Sequence, residues 1–253
     1  MRIRILSYNI HRAIGLDRRF APERIIKILK AHNADIVLLQ EVDEGAPRSN
    51  ELKLAKELAE AAGYPYFAMG HNVKLRKGQY GNATLSRFPI THERNIDLTV
   101  SILKRRGCQH TTIDLANNPK NPKPVEIFNL HLGLSAKERQ KQADILVNSY
   151  EYQCLRLETP CIISGDFNDW RSLLRHLFVE GLFFQCATDQ KQPSGRPRAI
   201  RTFPSFAPQG GLDRLYYRGE GLILQAAKRC EHKVSKIASD HLAIIVDFDV
   251  STA

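Results

Sequence analysis

Residues 160–169, PCIISGDFND, pass from an apolar run straight into Gly-Asp and a polar turn. Ile162 and Ile163 favour an extended, buried strand, and Asp166, Asn168 and Asp169 are residues that turns choose. A carboxylate that no strand interior would select therefore stands at a strand end. The same event recurs along the chain: Asn9 follows ILSY, Glu41 follows IVLLQ, and His131 follows IFNL. Singly, each has a plain structural reading: Asn9 as a turn cap, Glu41 as a surface charge, His131 as a core histidine. Together they form a pattern. In an open α/β architecture the loops at one end of the strands converge, so these side chains can meet around one substrate.

Working outward, PVEIFNLHL (124–132) reads as a strand, and SAKERQKQADILVNSYEYQCLRL (135–157) as one long helix with Ser135 as its N-cap. Nearer the N-terminus IRILSYNI (3–10) is a strand, and Pro22 with Ile25, Ile26 and Leu29 starts an amphipathic helix. ADIVLLQEV (34–42) is a buried strand, and ELKLAKELAEAAG (51–63) is a helix capped by Gly63. YPYFAMG, GNATLSR, ERNIDLTV and CQHTTIDL, between Tyr64 and Leu115, read as an antiparallel meander. WRSLLRHLF (170–178) reads as a short helix. Strands at GLDRLYY, GLILQAAK and LAIIVDFD close the chain, and residues 187–210 form the longest irregular loop. Neither a repeat nor a linker divides the sequence, which predicts one domain over residues 1–253.

At 253 residues, with 43% hydrophobic and 25% charged content, the chain has enough apolar material for a core and no signature of disorder. No apolar run reaches membrane-helix length, and MRIRILSYNI lacks the features of a signal peptide, so a cytoplasmic location is expected. The five cysteines are scattered and form no CxxC pair, which argues against a zinc cage or a disulfide framework. A formal charge of +10 favours polyanionic partners. Three stretches carry much of it: HNVKLRKGQY (71–80), ILKRRGCQH (102–110) and QKQPSGRPRAIR (190–201).

The segments SYNI (7–10), LQEV (39–42), YGNATLSR (80–87), NLHLG (129–133), SGDFND (164–169), LDRLYY (212–217) and SDHLA (239–243) resemble, in order, the motifs of the endonuclease/exonuclease/phosphatase superfamily, which includes deoxyribonuclease I. SYNIHRAIGLD and the late RTFP (201–204) are most similar to a bacterial subgroup of undefined substrate. The resemblance implies a four-layer α/β sandwich of two packed mixed sheets flanked by helices. It also implies a metal-dependent hydrolase that cleaves a phosphoester by water attack. With Trp170 as the one tryptophan, the aromatic wedge of abasic-site enzymes is missing, which disfavours DNA repair.

Phosphodiesters repel hydroxide and leave poorly, so their hydrolysis needs positive charge on the phosphoryl oxygens and a base for water. By the resemblance, Glu41 is the main ligand of Mg²⁺, or of Mn²⁺, with Asn9 supporting the metal or a phosphate oxygen and Asp240 a further carboxylate. Asp166 orients and deprotonates water, Asn168 holds water or phosphate, and His131 and His241 donate to phosphoryl oxygens. Asp213 fixes the tautomer of His241. An alternative makes His241 the base. His11, Asn82, Arg201 and Arg214 are candidate substrate contacts. The substrate is a phosphate ester: nucleic acid, phospholipid or phosphorylated metabolite, with transient contact to an anionic membrane allowed and no stable protein partner implied. A competing reading is a catalytically inactive member that binds nucleic acid or a protein through its basic loops.

Overall fold

The computed structural model describes residues 1–100, 104–116, 120–192 and 195–251. Ile102 and Leu103 of the second basic stretch, and Pro193 and Ser194 of the third, lie outside the described residues. In chain order the first half holds β1 (Arg2–Asn9), α1 (Pro22–His32), β2 (Ile36–Glu44), α2 (Leu54–Ala62), β3 (Tyr66–Lys74), β4 (Gln79–Ser86), β5 (Ile90–Asp97) and β6 (Gly107–Asp114). β7 (Pro124–His131), α3 (Ala136–Val147), α4 (Tyr150–Gln153) and β8 (Cys161–Asp166) follow. The chain closes with β9 (Gln185–Cys186), β10 (Asp189–Gln190), β11 (Arg198–Ala199), β12 (Asp213–Arg218), β13 (Leu222–Arg229), α5 (Ser235–Ala238) and β14 (Ile244–Val250).

Two six-stranded sheets result, ordered β13-β14-β1-β2-β4-β3 and β5-β6-β7-β8-β12-β9. Each is mixed: β1 and β2 run parallel around α1, β7 and β8 run parallel around α3 and α4, and the other pairs are antiparallel. The sheets pack face to face with helices outside, which is the predicted four-layer sandwich. Strand alternation explains the packing. Ile3 and Ile5 of β1 face Ile127, Ile162 and Leu215 in the inter-sheet core. On the opposite side of β1, Leu6 and Tyr8 meet Ile25 and Leu29 of α1. In the other sheet, Phe128 and Ile163 turn outward against Ala143 and Leu146 of α3. Each such aliphatic side chain contributes about 1.5–3 kcal/mol by leaving water.

Toward one end the same inner faces turn polar. Ile3, Ile5, Ser7 and Asn9 share a face of β1, as do Ile127, Asn129 and His131 on β7, and Ile162, Ser164 and Asp166 on β8; all are buried. A polar staple closes this zone. Gln40 Nε2 donates to Asn129 Oδ1 (2.8 Å), Asn129 Nδ2 donates to the carbonyls of Leu39 (3.1 Å) and Ala83 (3.0 Å), and Asn82 Nδ2 donates to the Asn129 carbonyl (3.0 Å). These bonds permit the sandwich to carry polar groups to its interior, with Gln40 Oε1 left without a hydrogen-bond partner.

Three elements differ from expectation. The meander is split, with β3 and β4 in one sheet and β5 and β6 in the other. The long helix stops at Val147, because Ser149 starts a new one by accepting from the Tyr152 backbone N–H at 3.4 Å. The segment 170–178 is mostly turns. Ser172 has φ of 55°, Asp169 accepts from the Leu174 N–H (2.8 Å), and helical geometry begins only at Arg175, continuing as a π-helix over Leu177–Gly181. Residues 187–210 include the small β10–β11 ladder. Among the described residues no helix is long and apolar enough to cross a membrane.

Candidate active site

Register brings the motif ends together before any loop is considered. Asp166 lies directly opposite Asp213 on β12 and beside His131 on β7. His131 Nε2 is 3.5 Å from Asp166 Oδ2, and His241 Nε2 is 3.6 Å from the same oxygen. Asp166 is aimed by two donors: Asn9 Nδ2 at Oδ2 (3.0 Å) and the Asn168 backbone N–H at Oδ1 (2.9 Å). Asn168 reaches that position in a left-handed conformation, φ 51°, which asparagine tolerates, and its own amide donates to the Leu132 carbonyl (2.9 Å).

His241 arrives on the loop before β14. Ser239 Oγ donates to the Asn9 carbonyl (2.7 Å) and accepts from the His241 N–H (3.2 Å), so the serine of SDH ties this loop to β1. The imidazole Nδ1 meets Asp213 Oδ2 at 2.9 Å, and the Thr202 hydroxyl donates to the same carboxylate oxygen. The Phe203 ring lies 5.0 Å from that of His241.

Electrostatics separate the three titrating groups. Burial raises the Asp166 carboxyl to about 6; His241 opposes the rise, Asp213 adds to it, and the Asn9 and Asn168 donors restrain it. For His241, burial works against the charged form, but Asp213 and Asp166 outweigh it and lift the imidazole to about 10. Burial, reinforced by Arg106, Lys104 and His241, holds His131 neutral, well below the usual histidine range. At neutral pH the cluster therefore pairs an ionised Asp166 with a cationic His241 and a neutral His131.

Glu41 occupies a different setting. Between Leu39 and Val42 the pairing of β2 with β4 shifts by one residue, and Glu41 sits in this bulge with φ of 58°. It follows Gln40, the register partner of Asn9. Its carboxylate lines a cleft of about 290 Å³ with Arg12, Arg48, Lys74, Lys104 and Arg105. Arg12 Nε stands 3.7 Å from Glu41 Oε2, beyond hydrogen-bond length, and that buried oxygen has no hydrogen-bond partner. Burial and then Arg106 depress the Lys104 ammonium, while Glu41 and, more weakly, Asp166 offset them, so Lys104 feels both carboxylates.

An oxygen-seeking divalent ion fits the unpartnered Glu41 oxygen. Asp166, Asp213 and His241 also bring ligand-type atoms within 4.8 Å of one another. That trio is already partly engaged, since His241 and Thr202 both take Asp213 Oδ2, although Asp213 Oδ1, like the Glu41 oxygen, has no hydrogen-bond partner.

The remaining candidates are distributed unevenly. Asp240 neighbours His241, and its Oδ1 lies 3.3 Å from Ser239 Oγ, whose proton the closer Asn9 carbonyl takes. Asn9 is engaged at both ends of its amide, since Oδ1 accepts from the His11 N–H (3.0 Å). His11 lies beyond the end of β1 in a turn, with Nδ1 2.9 Å from the Ile14 carbonyl. Asn82 belongs to the inter-sheet staple. Arg214 faces the helix side of β12, buried, donating to Ser172 Oγ (2.5 Å) and 3.8 Å from Asp189. Arg201 lines another groove with Arg198. Thr202, Ser239, Arg12 and Lys104 were not singled out from sequence. Thr202 stands in the RTFP segment and Ser239 in SDH, so both carried a positional signal.

The fold and the buried acid–histidine cluster define a class, and the chain belongs to the Endonuclease/Exonuclease/phosphatase family, whose match covers residues 6–241. It is 32% identical to the uncharacterized protein YbhP of Escherichia coli K12 over 224 residues, 85% of this chain and 84% of that one. The human Nocturnin catalytic domain, solved with a bound sulfate anion, superposes with a TM-score of 0.76 at 22% identity, covering 99% of this chain and 94% of that one. A mannosyl-6-phosphatase of Bacteroides thetaiotaomicron superposes with a TM-score of 0.71 at 18% identity, over 97% and 99% of the two chains.

Proposed function

We propose that this chain is a single-domain phosphoesterase that uses Mg²⁺, or Mn²⁺, to hydrolyse a phosphate ester. The carrying observation is the geometry around Asp166: two donors aim the carboxylate, and two histidines stand 3.5 and 3.6 Å from one of its oxygens. Family membership and the phosphatase named among the structural neighbours support the reaction class.

Of the two candidate bases, Asp166 is favoured. A base must be unprotonated at working pH and weakly acidic in its conjugate form, which suits a carboxyl raised to about 6. His241, lifted to about 10, already holds its proton and acts as a donor. In this reading Asp166 takes a proton from water, and the imidazolium Nε2–H of His241 and the neutral His131 donate to non-bridging phosphoryl oxygens. Asp213, with Thr202 behind it, keeps His241 charged and oriented. Asn9 and Asn168 are positioning residues for Asp166. Glu41 is the main residue that would hold the metal, with Asp240 a further carboxylate; when bound, the ion supplies positive charge to the phosphoryl oxygens. Arg12 and Lys104 draw the anionic substrate toward that side. Five unpaired cysteines accord with a reducing, cytoplasmic compartment.

The test is a hydrolysis screen with and without Mg²⁺ or Mn²⁺, using bis(4-nitrophenyl) phosphate, 4-nitrophenyl phosphate, single-stranded DNA, RNA and phospholipid. Metal-dependent release from at least one substrate, abolished by Asp166→Asn, is the expected result. Absence of turnover on all of them with folded protein refutes the reading.

A further inference from the structure

A second groove, of about 370 Å³, is lined by residues of the β10–β11 segment and of the edge strand β13. Arg198, Arg201 and Arg229 contribute to its wall with Gln190 and Gln192, against one carboxylate, Glu231. Lys228 also lines it, but its charge acts on His32 and Asp247 as well, so the argument rests on the three arginines. Elsewhere Arg4, Arg24, Arg48 and Arg175 each meet a carboxylate at 2.7 Å. Among the described residues, none of the three groove arginines forms an ion pair. Arg229 donates to a neutral oxygen, the Arg201 carbonyl (3.2 Å). Arg201 and Arg229 are half-buried, so water screens them incompletely, and like charges gathered in excess of the single carboxylate cost stability that a bound anion would restore.

The groove is built onto the supports of Asp213 and His241. Arg201 precedes Thr202, whose hydroxyl reaches Asp213 and whose carbonyl accepts from the Leu242 N–H (2.9 Å). Arg229 is the register partner of Ile244, and the Cys230 N–H donates to the Ala243 carbonyl (2.7 Å). In sheet order the groove arginine sits on β13, His241 leads into β14, Asn9 ends β1, and Glu41 lies on β2. Arg229 of the groove and Glu41 of the cationic cleft thus lie on strands three spacings, or about 14 Å, apart, with the strands that adjoin His241 and Asn9 between them. One phosphate cannot engage the cations of both groove and cleft; a chain of phosphates can, and guanidinium forks match its oxygens.

We propose that this groove holds a second phosphate of the substrate, and that the site is built for a phosphodiester chain, a single-stranded polynucleotide. This rests on the phosphoesterase reading above, so its test is a binding measurement that needs no turnover. Fluorescence anisotropy of a labelled twelve-residue oligothymidylate is measured in EDTA over a salt series, for the wild-type chain, Arg198→Ala/Arg201→Ala, Arg198→Glu and Arg198→Lys/Arg201→Lys. The double alanine variant is expected to bind about tenfold more weakly. Its slope of log affinity against log salt should flatten by about 1.4, two phosphate contacts at about 0.7 each. Arg198→Glu, an exposed change that spares the core, should weaken binding in the same direction, and the lysine pair should retain most of it. Unchanged affinity and slope in the alanine and glutamate variants overturn the proposal, as does tighter binding of thymidine monophosphate than of the oligomer. Metal-dependent hydrolysis of bis(4-nitrophenyl) phosphate by the wild type reports separately on the phosphoesterase reading.

Discussion

The two halves of the site are built on opposite plans. Around Asp166 and His241 the side chains are buried and mostly tied down: Asn9, Asn168, Thr202, Asp213 and Ser239 hold them through a chain of hydrogen bonds, with Asp213 Oδ1 left without a hydrogen-bond partner. Around Glu41 the cleft is open and cationic, and a carboxylate oxygen has no hydrogen-bond partner, only the Arg12 guanidinium at 3.7 Å. Preorganised donors reduce reorganisation during proton transfer, whereas an unpartnered charge beside a cleft is completed by a ligand. The contrast sets a half that folding largely preorganises against one that the proposed metal and substrate would complete.

The preorganised half should be the more damaging to break. Asp166→Asn keeps the shape and removes the proton acceptor, so kcat on an aryl diester is expected to fall by about 10³-fold or more, with a melting temperature confirming the fold. A loss of tenfold or less would transfer the role of base elsewhere. Glu41→Gln tests the other half. Outer partners of metal ligands alone change affinity by about 10–100-fold, so the metal concentration for half-maximal activity should rise by about 100-fold, with partial recovery at high metal. Calorimetry with Mn²⁺ reads the same change without turnover.

The charge states give a smaller and more specific test. With Asp166 as base, kcat should rise about tenfold per pH unit up to about 6 as its proton leaves, and decline above about 10 as His241 gives up the donor proton. Carboxyl and imidazole NMR of the metal-free chain reads the two transitions directly. Asp213→Asn removes an anion that favours imidazolium, so the alkaline limb should move toward neutral pH and the acid limb slightly downward, since Asp213 also raises Asp166. An alkaline limb that stays in place would assign it to another group.

The paired half was largely legible in the sequence, because strands that end in Asn9, His131 and Asp166 announce themselves by a polar residue after an apolar run. Long-range register, which places Asp213 across from Asp166, was reached only through the family resemblance. Periodicity could not expose the bulge that aims Glu41, since it depends on pairing with β4, nor Ser149 restarting the helix, since a serine after Asn148 also suits a surface turn. Asn82 stood in a recognisable segment, yet its amide spans the sheets to the Asn129 carbonyl. A buried polar side chain looks the same in sequence whether it holds a ligand or a neighbouring strand. The basic stretches divide similarly: Lys74 of the first and Lys104 and Arg105 of the second reach the Glu41 cleft, while Arg198 and Arg201 of the third line the separate groove.

Arg12 provides the finest test of the open half, because it should oppose the metal and assist the substrate at once. Its guanidinium stands 3.7 Å from the carboxylate expected to hold a divalent cation, so binding the ion must work against a fixed positive charge. At that separation Coulomb's law gives about 1–4.5 kcal/mol for effective dielectrics of about 80 to 20. Both side chains keep contact with solvent, which reduces the net effect to about 0.5–1 kcal/mol. Arg12→Gln should therefore tighten Mn²⁺ binding by about two- to fivefold in calorimetry, while KM for an anionic diester rises by a similar factor through loss of attraction. The opposite signs are the informative part. If both affinities fall together, Arg12 is holding the shape of the bulge around Glu41; if only KM changes, the metal lies beyond the reach of its charge.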